Sequence, residues 1–219
     1  MARTEKKPGL VKTFSAIFVF MALMLGLMVN KVINPAALTT EQFKERGIFL
    51  FEPPRKIKTF ELESHLGEPF TKASLQGKWG LVFFGFTHCP DVCPTTMAML
   101  NDAMTEIEDN DISSTTQVIL VTVDPARDTV DQLKSYVPYF NKDFIGVTGD
   151  FLKILSFAGN LNAPFRKVVT GDTYTMDHSA YIFLVNPRGD LQAFLKPPFD
   201  PQSFAVNYLA LRKKFKHDF

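Results

Sequence analysis

Residues Phe14 to Val29, FSAIFVFMALMLGLMV, carry no charge, and Ser15 is their one clearly polar side chain. A run that is apolar on all sides, with a basic flank, does not suit a helix of a soluble domain. Extended through Asn30, Lys31, Val32 and Ile33, it would span about 30 Å as a helix, the thickness of a bilayer core. Arg3, Lys6, Lys7 and Lys12 precede it, against Glu5 alone. The positive-inside rule therefore predicts a cytoplasmic tail over 1–13, a transmembrane anchor over 14–33, and all later residues outside the cytoplasm. A cleaved signal peptide is the rival, with Ala36-Ala37 as small residues, but the run exceeds the usual apolar core of about 7–15 residues. The expectation is a single-pass protein of the inner membrane, with its C-terminal part in the periplasm or an equivalent space.

Pro35, Pro53 and Pro54 mark 34–56 as a linker, and a single domain is expected over 57–219. Phe60-Glu61-Leu62 and Pro69-Phe70 suggest a hairpin. KWGLVFFGF (Lys78 to Phe86), VILVTV (Val118 to Val123) and YIFLV (Tyr181 to Val185) read as buried strands, and Phe144 to Thr148 as a shorter one. Helices are expected over Pro94–Glu108, Val130–Tyr139 (capped at Asp128-Thr129), Phe151–Ala158 and Phe204–Phe215. Asn186-Pro187-Arg188-Gly189 is a turn leading to a strand over Leu191–Leu195. This order predicts an α/β sandwich on a mixed sheet. The net charge of +1 gives no bulk attraction for nucleic acid, and no nucleic-acid motif is present. Arg212-Lys213-Lys214 reads as a solvated last helical turn.

The two cysteines, Cys89 and Cys93, fall in GFTHCPDVCP, where a central strand ends and a helix begins. Ligand sites in open α/β sheets favour that place. One pair makes no disulfide framework, and a core with 22 phenylalanines needs no staple. With Pro94 at the first helical position and Cys93 at the cap, the helix N-terminus predicts lowered thiol pKa values. The spacing allows a redox couple or a shared ion, and a metal needs at least one more ligand. His88, His65 and His217 read as surface residues. His178, in Met176-Asp177-His178-Ser179 before the YIFLV strand, is the candidate third ligand, since the loop before that strand faces the cysteines in this topology.

GFTHCPDVCP, then VTVDPARDT, then DHSAYIFLVNPRG closely resembles the SCO/SenC family of membrane-anchored thioredoxin-fold proteins. The resemblance covers nearly the whole chain after the linker. It implies a thioredoxin-like domain with one copper, Cu(I) or Cu(II), on Cys89, Cys93 and His178. It implies delivery of copper to, or maturation of, the CuA centre of cytochrome c oxidase, with that CuA-bearing subunit as partner. Other copper chaperones or thiol reductases are further possible partners. Asp124 matches the family's acidic residue near the site; a turn residue before Pro125 is its ordinary reading.

A thiol–disulfide reductase acting on CuA-site or other cysteines is the alternative, with Cys89 and Cys93 as its redox pair. Thioredoxin-type enzymes, however, use a spacing one residue shorter and a proline where this chain has His178. A peroxidase using Thr87 and Arg127 leaves the second cysteine and His178 unexplained. Structural zinc would lack a fourth protein ligand.

Overall fold

The computed structural model describes residues 8–33, 38–107, 110–216 and 218–219. His217, the 1–7 part of the tail, and Pro35 and Ala36-Ala37 therefore lie outside the described residues. The chain divides into two units, Met1–Ala37 and Leu38–Phe219. The first contains helix α1 (Pro8–Ile33), whose stretch Lys12–Asn30 is long and apolar enough to cross a membrane.

The second unit is built on an eight-stranded mixed sheet, ordered β1 (Ile48–Lys56), β10 (Asp190–Leu195), β9 (Ile182–Val185), β4 (Trp79–Gly85), β5 (Thr116–Thr122), β6 (Ile145–Thr148), β2 (Glu61–Ser64), β3 (Pro69–Thr71). Strands β4, β5 and β6 run parallel; the remaining pairs are antiparallel. Every residue of β4 is buried, which is why WGLVFFG reads as a continuous apolar run without alternation.

Alternate residues of β4 serve opposite faces. Phe84 meets Phe157 of α6 (Phe151–Leu161) at 5.9 Å between ring centroids. On the other face, Gly85 stands against Cys93 of α3 (Val92–Thr105). Gly146, beside Leu120 in the parallel register, stands against Leu133 and Val137 of α5 (Val130–Phe140) on that same face. Helix α7 (Pro201–Lys214) packs with α3. A helix layer thus covers each side of the sheet, as the alternation of strands and helices predicts.

Two departures from expectation matter. Residues 38–56 are not a linker within the described chain. A short helix, α2 (Thr40–Glu45), is closed by a Thr39–Gln42 capping box and buries Phe43, and β1 pairs with β10 along the sheet edge. Pro53 and Pro54 fall where the β1 register is interrupted, between Leu50 and Arg55. Proline lacks the N–H a ladder needs, so edge strands tolerate it and sequence patterns read it as coil.

The second departure is a separate hairpin of β7 (Phe165–Thr170) and β8 (Thr173–His178), turning at Gly171 with φ +60. Its residues are mostly exposed, so it has no apolar run to betray it. His178 is therefore the last residue of a strand, not a loop residue. The helix carrying Cys93 also begins earlier than expected, at Val92, which moves Cys93 from the cap into the first turn. A short helix, α4 (Asn110–Ser114), precedes β5.

Candidate metal centre

The end of β4 delivers the chain to the cysteine loop, and Asp128 holds that loop in place. Its fully buried carboxylate accepts from Thr87 N–H at 3.0 Å, Thr87 Oγ1 at 2.6 Å and Thr122 Oγ1 at 2.6 Å. The loop is thereby tied to β5. Thr129, rather than Asp128, caps α5. Nothing local in the sequence marks this role of Asp128, apart from its position within VTVDPARDT, four residues after Asp124.

Cys93 is fully buried and Cys89 half-buried; both are free thiols. The Cys93 N–H donates to Cys89 Sγ at 3.4 Å. Gly85 makes room for the helix: a Cβ there would lie 3.0 Å from Cys93 Sγ and 2.9 Å from the Phe83 ring.

His178 arrives from the base of the hairpin. Its Nε2 lies 3.4 Å from Cys93 Sγ, and its Nδ1 lies 3.1 Å from the Ser179 carbonyl oxygen. A carbonyl only accepts, so Nδ1 carries the proton and Nε2 presents its lone pair to the sulfur. Phe83 and Phe86 each stand edge-on to the imidazole at 5.9 Å. Burial lowers the His178 pKa, favouring the neutral ring that can ligate a metal. The ligand atoms of Cys89, Cys93 and His178 all lie within 4.8 Å of one another. Eighty-five positions along the chain thus collapse to one contact.

Burial pushes the Cys93 thiol far above the ordinary thiol range, and its hydrogen bond with Cys89 adds to the rise. This reverses the expectation of a lowered value at that residue. The helix N-terminus favours a thiolate, but removing Cys93 from water costs its charged form more. A bound cation would restore the balance.

Asp124 is buried and accepts from the Arg127 Nε–H and from the Tyr174 hydroxyl at 3.1 Å. The Arg127 guanidinium lies 3.9 Å from the Tyr174 ring centroid and 5.8 Å from that of Phe86. Arg127 and the Phe86 ring stand between Asp124 and His178, and Asp124 is not among the three clustered ligands. Thr87 and Arg127, the residues a peroxidase would need, are committed to Asp128 and Asp124.

Among the other histidines, His88 is exposed and near Thr87, as a loop residue should be. His65 departs from expectation. It is 3% exposed, its N–H donates to the Gly146 carbonyl at 2.7 Å, and its Nδ1 accepts from Gly146 N–H at 3.0 Å. Arg212 also departs from the solvated reading: it donates to the Ile112 carbonyl and to the hydroxyls of Thr115, Thr116 and Tyr208.

Fold and site together define a class: an α/β domain whose central strand ends in a soft, two-sulfur, one-imidazole set able to hold a metal ion. The SCO1/SenC family pattern matches residues 51–210, and the chain belongs to that family. It is 35% identical over 155 residues to a Stutzerimonas stutzeri protein named for copper binding, covering 70% of this chain and 76% of that one. It is 36% identical over 147 residues to mitochondrial SCO2 of Saccharomyces cerevisiae, covering 66% of this chain and 48% of that one. The match thus spans about half the length of that mitochondrial relative. The crystal structure of Arabidopsis thaliana ScoI with copper bound superposes with a TM-score of 0.67 at 33% identity, covering 72% of this chain and 99% of that one. That likeness establishes the thioredoxin-like fold.

Proposed function

We propose that this protein carries copper, one ion per chain, on Cys89, Cys93 and His178, and delivers it to, or uses it to mature, the CuA centre of cytochrome c oxidase. The observation that carries this reading is the convergence of the three ligand atoms within 4.8 Å, with the His178 lone pair turned toward Cys93. Two thiolates and one imidazole suit Cu(I) as three-coordinate donors, and Cu(II) with one further weak ligand.

A carrier must also let go. Cys93 is buried, but Cys89 and His178 are partly exposed, and an open cleft of about 260 Å³ beside His178 is lined by Pro164, Phe165, Arg166, Asp177 and Ser179. The ion would thus be held from below and approached from one side by the CuA-bearing subunit. Asp124 takes the supporting role, holding Arg127 against Phe86 and so steadying the His178 ring. Helix α1 serves as the anchor in the inner membrane, with the N-terminus in the cytoplasm and the copper domain in the periplasm. The basic flank before the apolar run supports that orientation.

A second reading rests on the two free thiols. They could reduce a disulfide in the CuA-site cysteines, forming the Cys89–Cys93 bond as the target bond breaks into two thiols. Copper requires both sulfurs free, so the same pair serves one role at a time.

Titration of the reduced protein with copper tests the first reading. It should bind close to one copper per chain, with intense thiolate-to-copper absorption for Cu(II). His178→Ala should weaken Cu(II) binding by at least the roughly 10–100-fold that loss of an outer partner costs a metal site, while the disulfide still forms. Unchanged binding of both copper states by His178→Ala would refute the three-ligand centre. For the second reading, absence of exchange with a disulfide-bonded CuA-site peptide would remove it.

A further inference from the structure

Trp79 opens β4 and Gly85 closes it, so about 20 Å of strand separates the Trp79 end of the sheet from the cysteine loop. Beside Trp79 lies a cavity of about 610 Å³. That size falls within the roughly 300–1,000 Å³ of ordinary ligand pockets. Ile112, Leu209, Phe215 and Phe219 give it apolar walls together with Trp79. Phe219 stands edge-on to the Trp79 ring at 5.2 Å between centroids, and Phe215 is tilted against it at 6.3 Å. Arg212, Lys213 and Lys216 line the same cavity, and among the described residues Asp111 is the one carboxylate in the lining.

Arg212 is fixed at the cavity wall. Its guanidinium lies 5.6 Å from the Trp79 ring centroid, and its hydrogen bonds run to neutral oxygens: the Ile112 carbonyl and the hydroxyls of Thr115, Thr116 and Tyr208. Those bonds orient the planar fork without neutralising its charge. Apolar walls with a cationic rim suit an amphiphile that has an anionic head. The start of the unit brings such a molecule within reach. Thr40, two residues after Leu38, donates through Oγ1 to Glu52 at 3.0 Å. Glu52 in turn pairs at 3.1 Å with Lys214, which sits between Lys213 and Phe215 of the cavity lining. The chain therefore enters this unit beside the basic end of α7. Leu38 follows Ile33, the last residue of α1, by five positions, at most about 18 Å of extended chain. A connection that short ties the entry point, and not the cysteine loop, to the anchor.

We propose that this cavity is a lipid site, which takes an anionic phospholipid of the bilayer that α1 is anchored in. The phosphate lies against Arg212, Lys213 and Lys216, and the upper acyl chain against Trp79, Leu209 and Phe215. Such a site rests on the anchor reading of α1 and not on the copper reading. Aromatic rings beside basic side chains are what an interfacial surface uses, the rings at headgroup depth and the cations on the anionic lipid. The consequence is orientation. With the Trp79 end of β4 on the lipid, the other end presents Cys89, Cys93 and His178 away from the bilayer, toward a partner's soluble face.

Trp79 is the only tryptophan of the chain, so its emission reports this site alone. The full protein is reconstituted into vesicles that mix phosphatidylcholine and phosphatidylglycerol, with brominated acyl chains on one lipid or the other at equal mole fraction. Bromine on phosphatidylglycerol should quench Trp79 more than about twofold as strongly as bromine on phosphatidylcholine, because three cations favour the anionic head. Salt near 1 M, where the Debye length is about 3 Å, should narrow that preference. Reversing two exposed charges, Lys213→Glu with Lys216→Glu, should remove it, while the equally exposed Lys142→Glu should keep it. Equal quenching by the two brominated lipids in the parent, or none by either, overturns the lipid site without recourse to any variant. A preference that survives the double reversal overturns the role of the cationic rim. Extraction with alkaline carbonate reads the anchor separately. A protein that it strips from the vesicles has lost the anchor reading, and the same comparison with protein added to preformed vesicles then decides the cavity by itself.

Discussion

His65 shows how one ring nitrogen can make a fold sensitive to acid. Its Nδ1 accepts a hydrogen bond from Gly146, which only the deprotonated nitrogen can do. Burial lowers its pKa, and the Lys134 charge assists. The unfolded ring titrates near an ordinary value of about 6.5. The unfolded chain therefore binds more protons below that pH, and the stability His65 contributes is complete above it and lost as pH falls toward the lowered folded value. Burial lowers His178 in the same direction, so two histidines contribute. The expected outcome is a falling urea midpoint between about pH 7 and pH 5, with a shallower fall in His65→Asn, which can still accept from Gly146 but does not titrate. An equal pH dependence in parent and variant would sink this assignment. Sequence alone hid His65, because Ser64 and Glu68 around it read as polar surface, whereas Ser64 and His65 are both buried in the fold. The same blindness to burial inverted the expected pKa of Cys93: the helix terminus was legible, the depth of the sulfur was not.

At the scale of elements, the site depends on a loop that β4 launches and Asp128 stops. VTVDPARDT was legible as strand, turn and helix start, and its Thr129 cap is where the pattern puts it. The tie from Asp128 back to Thr87 crosses 41 positions, which no local rule contains. Asp128→Ala leaves the half-buried Thr87 N–H and the fully buried Thr122 hydroxyl without their acceptor. Hydrogen bonds to a charged group contribute about 1.5–3 kcal/mol each, and these act as one network, so a loss of roughly 3 kcal/mol in unfolding free energy is expected. Copper affinity should fall as well, because the cysteine loop loses its stop. Asp128→Ala that melts with the parent and titrates identically with copper would show the loop to be held by other contacts. The β7–β8 hairpin is the complementary case. Most of its residues face solvent, so it has no apolar run; its signal is the β-branched and aromatic Val168-Val169-Thr170 and Thr173-Tyr174-Thr175 around Gly171-Asp172, and among the described residues it carries the histidine that reaches the sulfurs.

For the whole second unit, the order of buried strands and helices was readable because each central strand is apolar on both faces, and the antiparallel return of β9 and β10 followed from the Asn186–Gly189 turn. The sheet edge was not readable, because Pro53 and Pro54 interrupt β1 just where pairing is broken. That edge decides where an independently folding domain begins. Residues 38–56 bury Phe43 and Ile48, stack Phe49 on Phe194 at 4.8 Å, and pair the outer side of β10. They also link to α7, through Arg46 to Asn207 at 3.0 Å and Glu52 to Lys214 at 3.1 Å. A chain starting at Leu38 keeps all of these. A chain starting at Ile57 removes two buried side chains and bares the edge of a largely buried strand. Losing one large buried side chain costs about 3–5 kcal/mol, so the shorter chain should lose more than roughly 3 kcal/mol in chemical denaturation. Its open β10 edge should also pair with other copies, giving concentration-dependent association in sedimentation. Equal denaturation midpoints and a monomer at every concentration would mean that β1 is dispensable, and that the sheet is complete at β10.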